Sequence, residues 1–298
     1  HQKAKIQTVS SDRIERELDA GKVVVVTGFQ GMTENSDVAT IGRGGSDTSA
    51  VVLAAALGAK VCEIYTDVDG IYTTDPRLVK TASKLSVISY DEMLELASLG
   101  AQVLHPRSVE CAKENGVELH VRSSFSDVPG TIVKDISHME RTRAVTGIAI
   151  KKDESKLSII RIPDQPGIAS SVFNALAEQH INVDMIVQST EKEGLNDITF
   201  TVPKADFETA KSVLTTLVDT LNADSMDYTA SISKVSIVGV GMISKPGVAA
   251  KMFQVLGDNG INIELISTSE IKVSCAISTD DGDRAVQLLH DAFELDQV

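Results

Sequence analysis

Residues 40–50 read TIGRGGSDTSA and hold the densest chemistry in the chain. Glycines let main-chain N–H groups approach a ligand closely. Ser46 or Asp47 can cap a following helix, whose free N–H groups favour an anion. Arg43 supplies a planar fork suited to a carboxylate or a phosphate. An ordinary glycine turn ahead of a capped helix would leave the same trace. A second polar run, YTDVDGIYTTDPR, covers residues 65–77. It lies at the C-terminal end of an apolar run, where open α/β sheets place their ligands. Asp67 and Asp69 suit a ribose, a base or Mg2+, Tyr72 can flank an adenine, and Arg77 can reach a phosphate. A polar loop with Asp75–Pro76 turn chemistry has the same composition.

The elements that must position these residues follow from periodicity. Residues 22–29 (KVVVVTGF) are a β-branched run, the mark of a strand buried on both faces. A Gly-rich polar loop is expected over 31–46, then a helix over 47–57 and a second buried strand over 59–66. Helices are expected over 11–20, 91–98 and 108–115, a strand over 118–122, and strand-like alternation near the end of 1–9. Strand, loop, helix, strand implies an α/β fold with a mostly parallel sheet. Residues 124–143 change to Ser, Asp, Pro, Gly and the charged run HMERTR, so the linker is expected there.

The remainder contains an internal repeat. Residues from Asp164 (DQPGIASSVFNALAEQHINVDMIVQST) align with those from Ser244 (SKPGVAAKMFQVLGDNGINIELISTSE). Pro166 matches Pro246 and Asn182 matches Asn262, each at an offset of 80. Each copy has a Pro-Gly turn, an amphipathic helix and a strand opening I-N-[VI]-[DE]. Later strands (197–202 and 271–277) and helices (204–218 and 283–293) complete two βαββαβ units.

Composition bounds the partners. The chain has 298 residues, room for two or three domains. A net charge of −14 and the absence of Trp argue against nucleic acid. Cys62, Cys111 and Cys275 show no CxxC spacing, so no metal site is expected and reduced cytoplasmic thiols are. No apolar run approaches a membrane span, and no signal-peptide pattern is expected to operate. His105 and His120 read as structural, His138 as part of a solvated linker, and Cys62 as inert core.

Taken together, VTGFQG (26–31), GRGGSDT (42–48), YTDVDGIYTTDPR (65–77) and LHPRSVECAKENGVELHVRSSF (104–125) resemble the amino-acid-kinase family, and aspartate kinases within it. The repeats resemble tandem ACT domains. The resemblance implies this architecture: residues 1–135 as the C-terminal portion of the kinase domain, 136–150 as linker and entry strand, 151–228 and 229–298 as two ACT domains. It implies that Arg43, Gly44, Gly45 and Ser46 contact substrate aspartate, with Ser46 also near ATP, and that Asp47 is catalytic, organising the transferring phosphoryl group. Thr66, Asp67, Tyr72 and Arg77 would form the nucleotide site, with Mg2+ on the phosphates. The reaction would convert ATP and L-aspartate to ADP and 4-phospho-L-aspartate, in lysine, threonine and methionine biosynthesis.

The repeats would bind lysine and/or threonine as effector between paired chains, which implies a homo-oligomer. The matching positions are Asp164, Gln165, Pro166, Gly167, Ile168, Ala169, Asn182, Val183, Asp184, Gln188 and Thr199 in the first repeat. In the second they are Val248, Ala249, Asn262, Ile263, Ser269 and Glu270. Feedback of this kind needs a coupling of roughly 1–3 kcal/mol. Two departures from the family pattern stand out. No K-F-G-G-[ST] segment is found, so this chain alone is expected to lack activity. Gln102 stands where many relatives carry Lys. A regulatory amino-acid-binding subunit, or another amino-acid kinase, would share most of these features. No dinucleotide-binding unit of a fused dehydrogenase is seen.

Overall fold

The computed structural model describes residues 6–101, 103–136, 143–190 and 194–297. Gln102 and residues 137–142, including His138 and most of the charged run expected as linker, lie outside the described residues. The chain divides into two compact units. One comprises His1–Gly147, Val238–Gly241 and Glu294–Val298; the other comprises Ile148–Ile237 and Met242–Phe293.

In the first unit, α1 (Asp12–Asp19) precedes a hairpin of β1 (Gln30–Met32) and β2 (Val38–Thr40). Then follow α2 (Gly45–Ala56), β3 (Val61–Thr66), β4 (Val87–Ser89), α3 (Tyr90–Ser98), α4 (Pro106–Asn115), β5 (Glu118–Ser123) and β6 (Thr131–Lys134). The sheet order is β3-β5-β6-β4. Pairings β3/β5 and β4/β6 are parallel, and β5/β6 is antiparallel. The α/β class expected from the sequence is therefore present, with a sheet parallel only in part.

Several local expectations are corrected. Residues 22–29 form no strand, and Val23 and Val25 are each 93% exposed. β-Branched residues fit a strand, but a strand also needs a neighbour to take its N–H and C=O groups. Among the described residues no strand pairs with this run, and main-chain bonds reach only its ends, Lys22 and Phe29. Similarly, β3 is not buried on both faces. It is an edge strand, with Cys62 and Ile64 inward and Val61, Glu63 and Tyr65 exposed. Finally, the polar stretch 31–46 contains the hairpin, and 124–143 contains β6, so neither is loop throughout. Residues 6–9 form no strand.

α3 begins with a capping box. Ser89 accepts from the Glu92 N–H, and Glu92 reaches back to the Ser89 N–H, an arrangement of about 1 kcal/mol. Glu92 is fully buried yet well satisfied. Its other oxygen accepts from the Thr146 hydroxyl at 2.6 Å and the Val240 N–H at 3.1 Å.

The second unit is built on one six-stranded sheet. Its elements are β7 (Gly147–Pro163), α5 (Ile168–Glu178), β8 (Ile186–Thr190), β9 (Leu195–Pro203), α6 (Phe207–Thr220), β10 (Ser225–Val238), α7 (Val248–Asp258), β11 (Leu265–Thr268), β12 (Lys272–Ser278) and α8 (Gly282–Ala292). The order is β11-β12-β10-β7-β9-β8. β7 and β10 run through the expected boundaries at 150/151 and 228/229. The repeat is visible in the packing: Val172 and Leu176 of α5 are fully buried, as are Met252 and Leu256 at the same places in α7. Leu157, Ile159, Ile198 and Phe200 complete the core under α5 and α6. Met185, which precedes β8, shares a cluster with Ile232, Leu265 and Ala276, so the regions of the two edge strands meet across one face. No described helix is long and apolar enough to cross a membrane.

Candidate active site

The hairpin delivers the Gly-rich loop. The Ile41 N–H donates to the Phe29 carbonyl at 2.9 Å, and the Phe29 N–H donates to the Ser49 hydroxyl at 3.1 Å. Gly42 and Gly44 both have positive φ, 95° and 71°. A side chain at 44 would also collide with its surroundings: a Cβ there would lie 2.2 Å from Cγ of His105.

Gly44 is the N-cap of α2, and no side chain caps this helix. The expectation that Ser46 or Asp47 caps it is overturned, because the left-handed turn at Gly44 starts the helix at Gly45, two residues earlier than expected. Both side chains instead belong to the first turn. Their main chain forms the positive end of the helix. Arg43 and Ser46 are exposed, and Asp47 is half-buried.

Burial raises the Asp47 carboxyl above its ordinary range, against the opposing effects of the Ser46 hydroxyl, the His105 charge and a hydrogen bond from the His105 main chain. Ser46 Oγ lies 3.4 Å from Asp47 Oδ1. The Asp47 charge is also felt at the Cys62 thiol of β3, which burial and then Asp47 push upward.

α4 supplies the other wall. His105 is its N-cap; Nδ1 accepts from the Arg107 N–H at 3.3 Å, and Pro106 takes the first helical position. The Arg107 guanidinium donates to the Ile41 carbonyl at 3.2 Å. The sequence reading made His105 structural and gave no part to Arg107. Their contact with the loop spans about sixty residues, and only the His-Pro-Arg helix start hints at it.

The second polar run begins at the end of β3. Thr66 Oγ1 donates to Asp67 at 3.1 Å, and Asp67 is exposed. Asp69 accepts from the Tyr72 hydroxyl at 2.9 Å and from Lys84 at 3.1 Å. Burial alone would raise the Asp69 carboxyl, but Lys84 and Tyr72 hold it below its ordinary range. Lys84 was not legible as a member of this group. Arg77 grips Asp75 through Nε at 3.0 Å and a terminal nitrogen at 2.7 Å, and its N–H also donates to Asp75 at 2.8 Å. The expected Asp-Pro turn is thus present. Arg77 feels the charge of Asp67 as well.

In the second unit, Gly167 and Gly247 are left-handed N-caps of α5 and α7, with Ile168 and Ala169, and Val248 and Ala249, in the first turns. Gln165 and Pro166 are exposed. Asp164 accepts from Asn196 at 2.8 Å, and its N–H donates to the Gly194 carbonyl. At the far end of β9, the Asp184 N–H donates to the Thr201 carbonyl. The Asp164–Ala169 turn and the Asn182–Asp184 turn therefore lie at opposite ends of one strand, about 20 Å apart. One repeat does not bring them together.

Asn182, Gln188, Asn262 and Glu270 are exposed, and Val183 and Ile263 are half-buried. Thr199 is hydrogen-bonded to Ser158 at 2.8 Å, and the Ser269 N–H donates to the Lys272 carbonyl. Asp184 is ion-paired with Lys234, whose side chain is 5% exposed.

Both units resemble known protein families. The amino acid kinase family model matches residues 1–123, and ACT domain models match residues 157–222 and 235–293. The chain is 51% identical to an aspartokinase of Thermus thermophilus over 297 residues, covering 99% of this chain and 73% of that protein. It is 49% identical to aspartokinase 2 of Bacillus subtilis over 295 residues, covering 99% and 72%. Among solved structures, the aspartate kinase of Clostridium acetobutylicum aligns with a TM-score of 0.86 at 27% identity, covering 95% of this chain and 66% of that one. E. coli aspartokinase III, solved with aspartate and ADP, aligns with a TM-score of 0.76 at 28% identity, covering 95% and 63%. With a kinase-type Gly loop in one unit, paired repeats in the other and relatives of half identity along nearly its whole length, the chain belongs to the aspartokinase family.

Proposed function

We propose that the chain is the greater part of an aspartate kinase, forming 4-phospho-L-aspartate and ADP from L-aspartate and ATP at the head of lysine, threonine and methionine biosynthesis. The observation that carries this reading is the Gly42–Asp47 loop. An exposed Arg43 stands beside two residues without side chains, at the positive end of α2, with a half-buried carboxylate in the first turn. Arg43 is suited to take one carboxylate of aspartate in a two-point grip. The main chain at Gly44 and Gly45, with the Ser46 hydroxyl, can then hold the other carboxylate for in-line attack on phosphorus. Asp47 orients the phosphoryl end of the site.

Thr66 and Asp67 are placed to meet the nucleotide. Tyr72 has its hydroxyl committed to Asp69, which leaves the ring to the base. Arg77 has to share its Asp75 pairing to reach a phosphate. The side chains suit a magnesium held chiefly by phosphates and water, which needs only one or two carboxylates. Among the described residues no three His, Cys, Asp or Glu form a cage, and Asp47 offers one carboxylate. When bound, the ion would neutralise phosphate charge.

The repeats are proposed to bind lysine and/or threonine and to regulate the kinase. Because one repeat separates its two turns by the length of β9, a site using both turn types draws on two repeats. A homo-oligomer formed through the repeats is part of this proposal. The proposed reaction belongs in the cytoplasm, where its substrates are.

The test is an aspartyl-hydroxamate assay with ATP and Mg2+, with and without lysine and threonine. This chain is run beside a version joined to the N-terminal segment of the Thermus relative. Activity in the joined form, inhibited by one of the amino acids, is the expected result, and Arg43→Ala should raise KM for aspartate about a hundredfold. No activity in either form would overturn the catalytic reading. The exposed run at 22–29, which pairs with no described strand, favours a second reading, a regulatory amino-acid-binding subunit. That reading predicts lysine or threonine binding without turnover in either form.

A further inference from the structure

The Gly-rich loop is held from outside at three points, all on the His105–Arg107 turn. The Arg107 guanidinium holds the Ile41 carbonyl at the entrance of the loop. The His105 main chain faces the Asp47 carboxylate at its exit closely enough to oppose the rise of its pKa. Between them the His105 side chain abuts Gly44 so closely that a Cβ at 44 would lie 2.2 Å from Cγ and 2.6 Å from Cδ2 of the ring, and 2.3 Å from the Cβ that carries it. The ring itself is fixed, because Nδ1 accepts from the Arg107 N–H and Pro106 rigidifies the turn.

We propose that His105 is a positioning residue for substrate aspartate: its imidazole fills the space over Gly44, locks the left-handed turn there, and so aims the Gly45–Asp47 main chain at the substrate carboxylate. This rests on the kinase reading above. His105 acts through Gly44 and Asp47 and touches no reacting atom. It differs from a plain helix cap in one respect. A cap needs only an acceptor for the Arg107 N–H, whereas the loop needs the bulk of the ring.

His105→Asn separates the two, since Asn caps a helix well but keeps only Cβ, Cγ and a short amide over Gly44, losing the far edge of the ring. His105→Phe does the reverse, keeping a ring and losing the acceptor. The experiment uses the active form from the hydroxamate assay and measures kcat and both KM values. Amide hydrogen exchange of the peptide covering 42–49 and the melting midpoint are measured on this chain.

His105→Asn is expected to melt near the parent, to raise KM for aspartate about ten- to a hundredfold with KM for ATP within about twofold, and to speed exchange in 42–49. His105→Phe should restore most of the aspartate KM. Parental kinetics and exchange in His105→Asn would overturn the proposal and leave His105 a cap. Equal rises in both KM values would also overturn it. If the parent makes no hydroxamate, the function fails separately. Exchange in 42–49 then decides alone: unchanged in His105→Asn, it removes the seat as well.

Discussion

Lys156 of β7 is ion-paired with Glu264, two residues beyond Asn262 of the second repeat. The relationship is mirrored by Lys234 of β10 and Asp184, two residues beyond Asn182 of the first. Each repeat thus lends a lysine, on a central strand, to the acid of the other. Both lysines are largely buried, and an acid removed from such a lysine leaves a charge with poor access to water. The pairs tie the I-N-x-[DE] turns to the middle of the shared sheet. They also mean that Asp184 meets any effector already engaged by a cation.

Glu264→Gln should therefore destabilise the second unit by about 1–3 kcal/mol, below the cost of a fully dry pair because both side chains keep some solvent. Lys156→Met should cost a similar amount, and Lys156→Met with Glu264→Gln should cost less than the two single changes added. Thermal melts of the four proteins, combined as a double-mutant cycle, measure this. Strict additivity would show that the pair has no coupling.

Asp47→Asn carries a prediction with opposite signs for stability and activity. Burial raises this carboxyl. A carboxyl whose folded pKa lies above its unfolded value holds its proton more tightly when folded. Its contribution is most favourable below the unfolded value, about 4, and is lost as pH rises through the folded one. At pH 7 the ionised form is a cost, so Asp47→Asn should melt at or slightly above the parent temperature. Activity should fall by about a hundredfold or more, because the amide cannot serve the phosphoryl end of the site. The acid limb of the parent's kcat/KM should lie above an ordinary aspartate. A strongly lowered melting point in the variant would mean that Asp47 is structural.

Much of this was legible before any coordinates. The repeat declared itself because an offset of 80 residues preserves Pro-Gly and Asn together, and such a coincidence is rare without two copies of one unit. The α2 helix was legible from its Ala and Leu content, and the loop before it from its glycines. The run at 22–29 was misread because β-branched composition reports what a strand prefers, not whether a neighbouring strand exists. The seat of Gly44 against His105 was invisible, since no periodicity links positions about sixty residues apart. The Lys–acid pairs were hidden for a subtler reason. Asp184 and Glu264 align in the repeat, but Lys156 and Lys234 are 78 residues apart, so aligning the copies does not match the lysines.

Gly44→Ala tests the loop by geometry alone. The residue has φ of 71°, which costs an L residue about 1 kcal/mol or more. The added methyl would also run into His105. The variant should be destabilised by about 1–3 kcal/mol and lose most activity. Removing the whole side chain in Gly44→Ala/His105→Gly should restore part of the stability, because the Cβ and Cγ that collide both go while the backbone strain stays. Measured melts in which the second change adds further loss would contradict this contact.

The thiols give a test that needs no substrate. Cys275 in β12 is fully buried, and burial pushes its thiol up to about 12. Cys62 in β3 is raised by burial and by the charges of Asp47 and Glu63. Cys111 in α4 is half-buried, raised by burial and by Glu114. A thiol reacts as thiolate, so all three should be slow at pH 7, in an order set by access. Cys111 should label first, Cys62 much later, and Cys275 only as the second unit unfolds. Timed alkylation read by mass spectrometry gives the order directly. Rapid native labelling of Cys275 would place β12 at the surface, and with it would go the core that the second repeat needs to hold its turn.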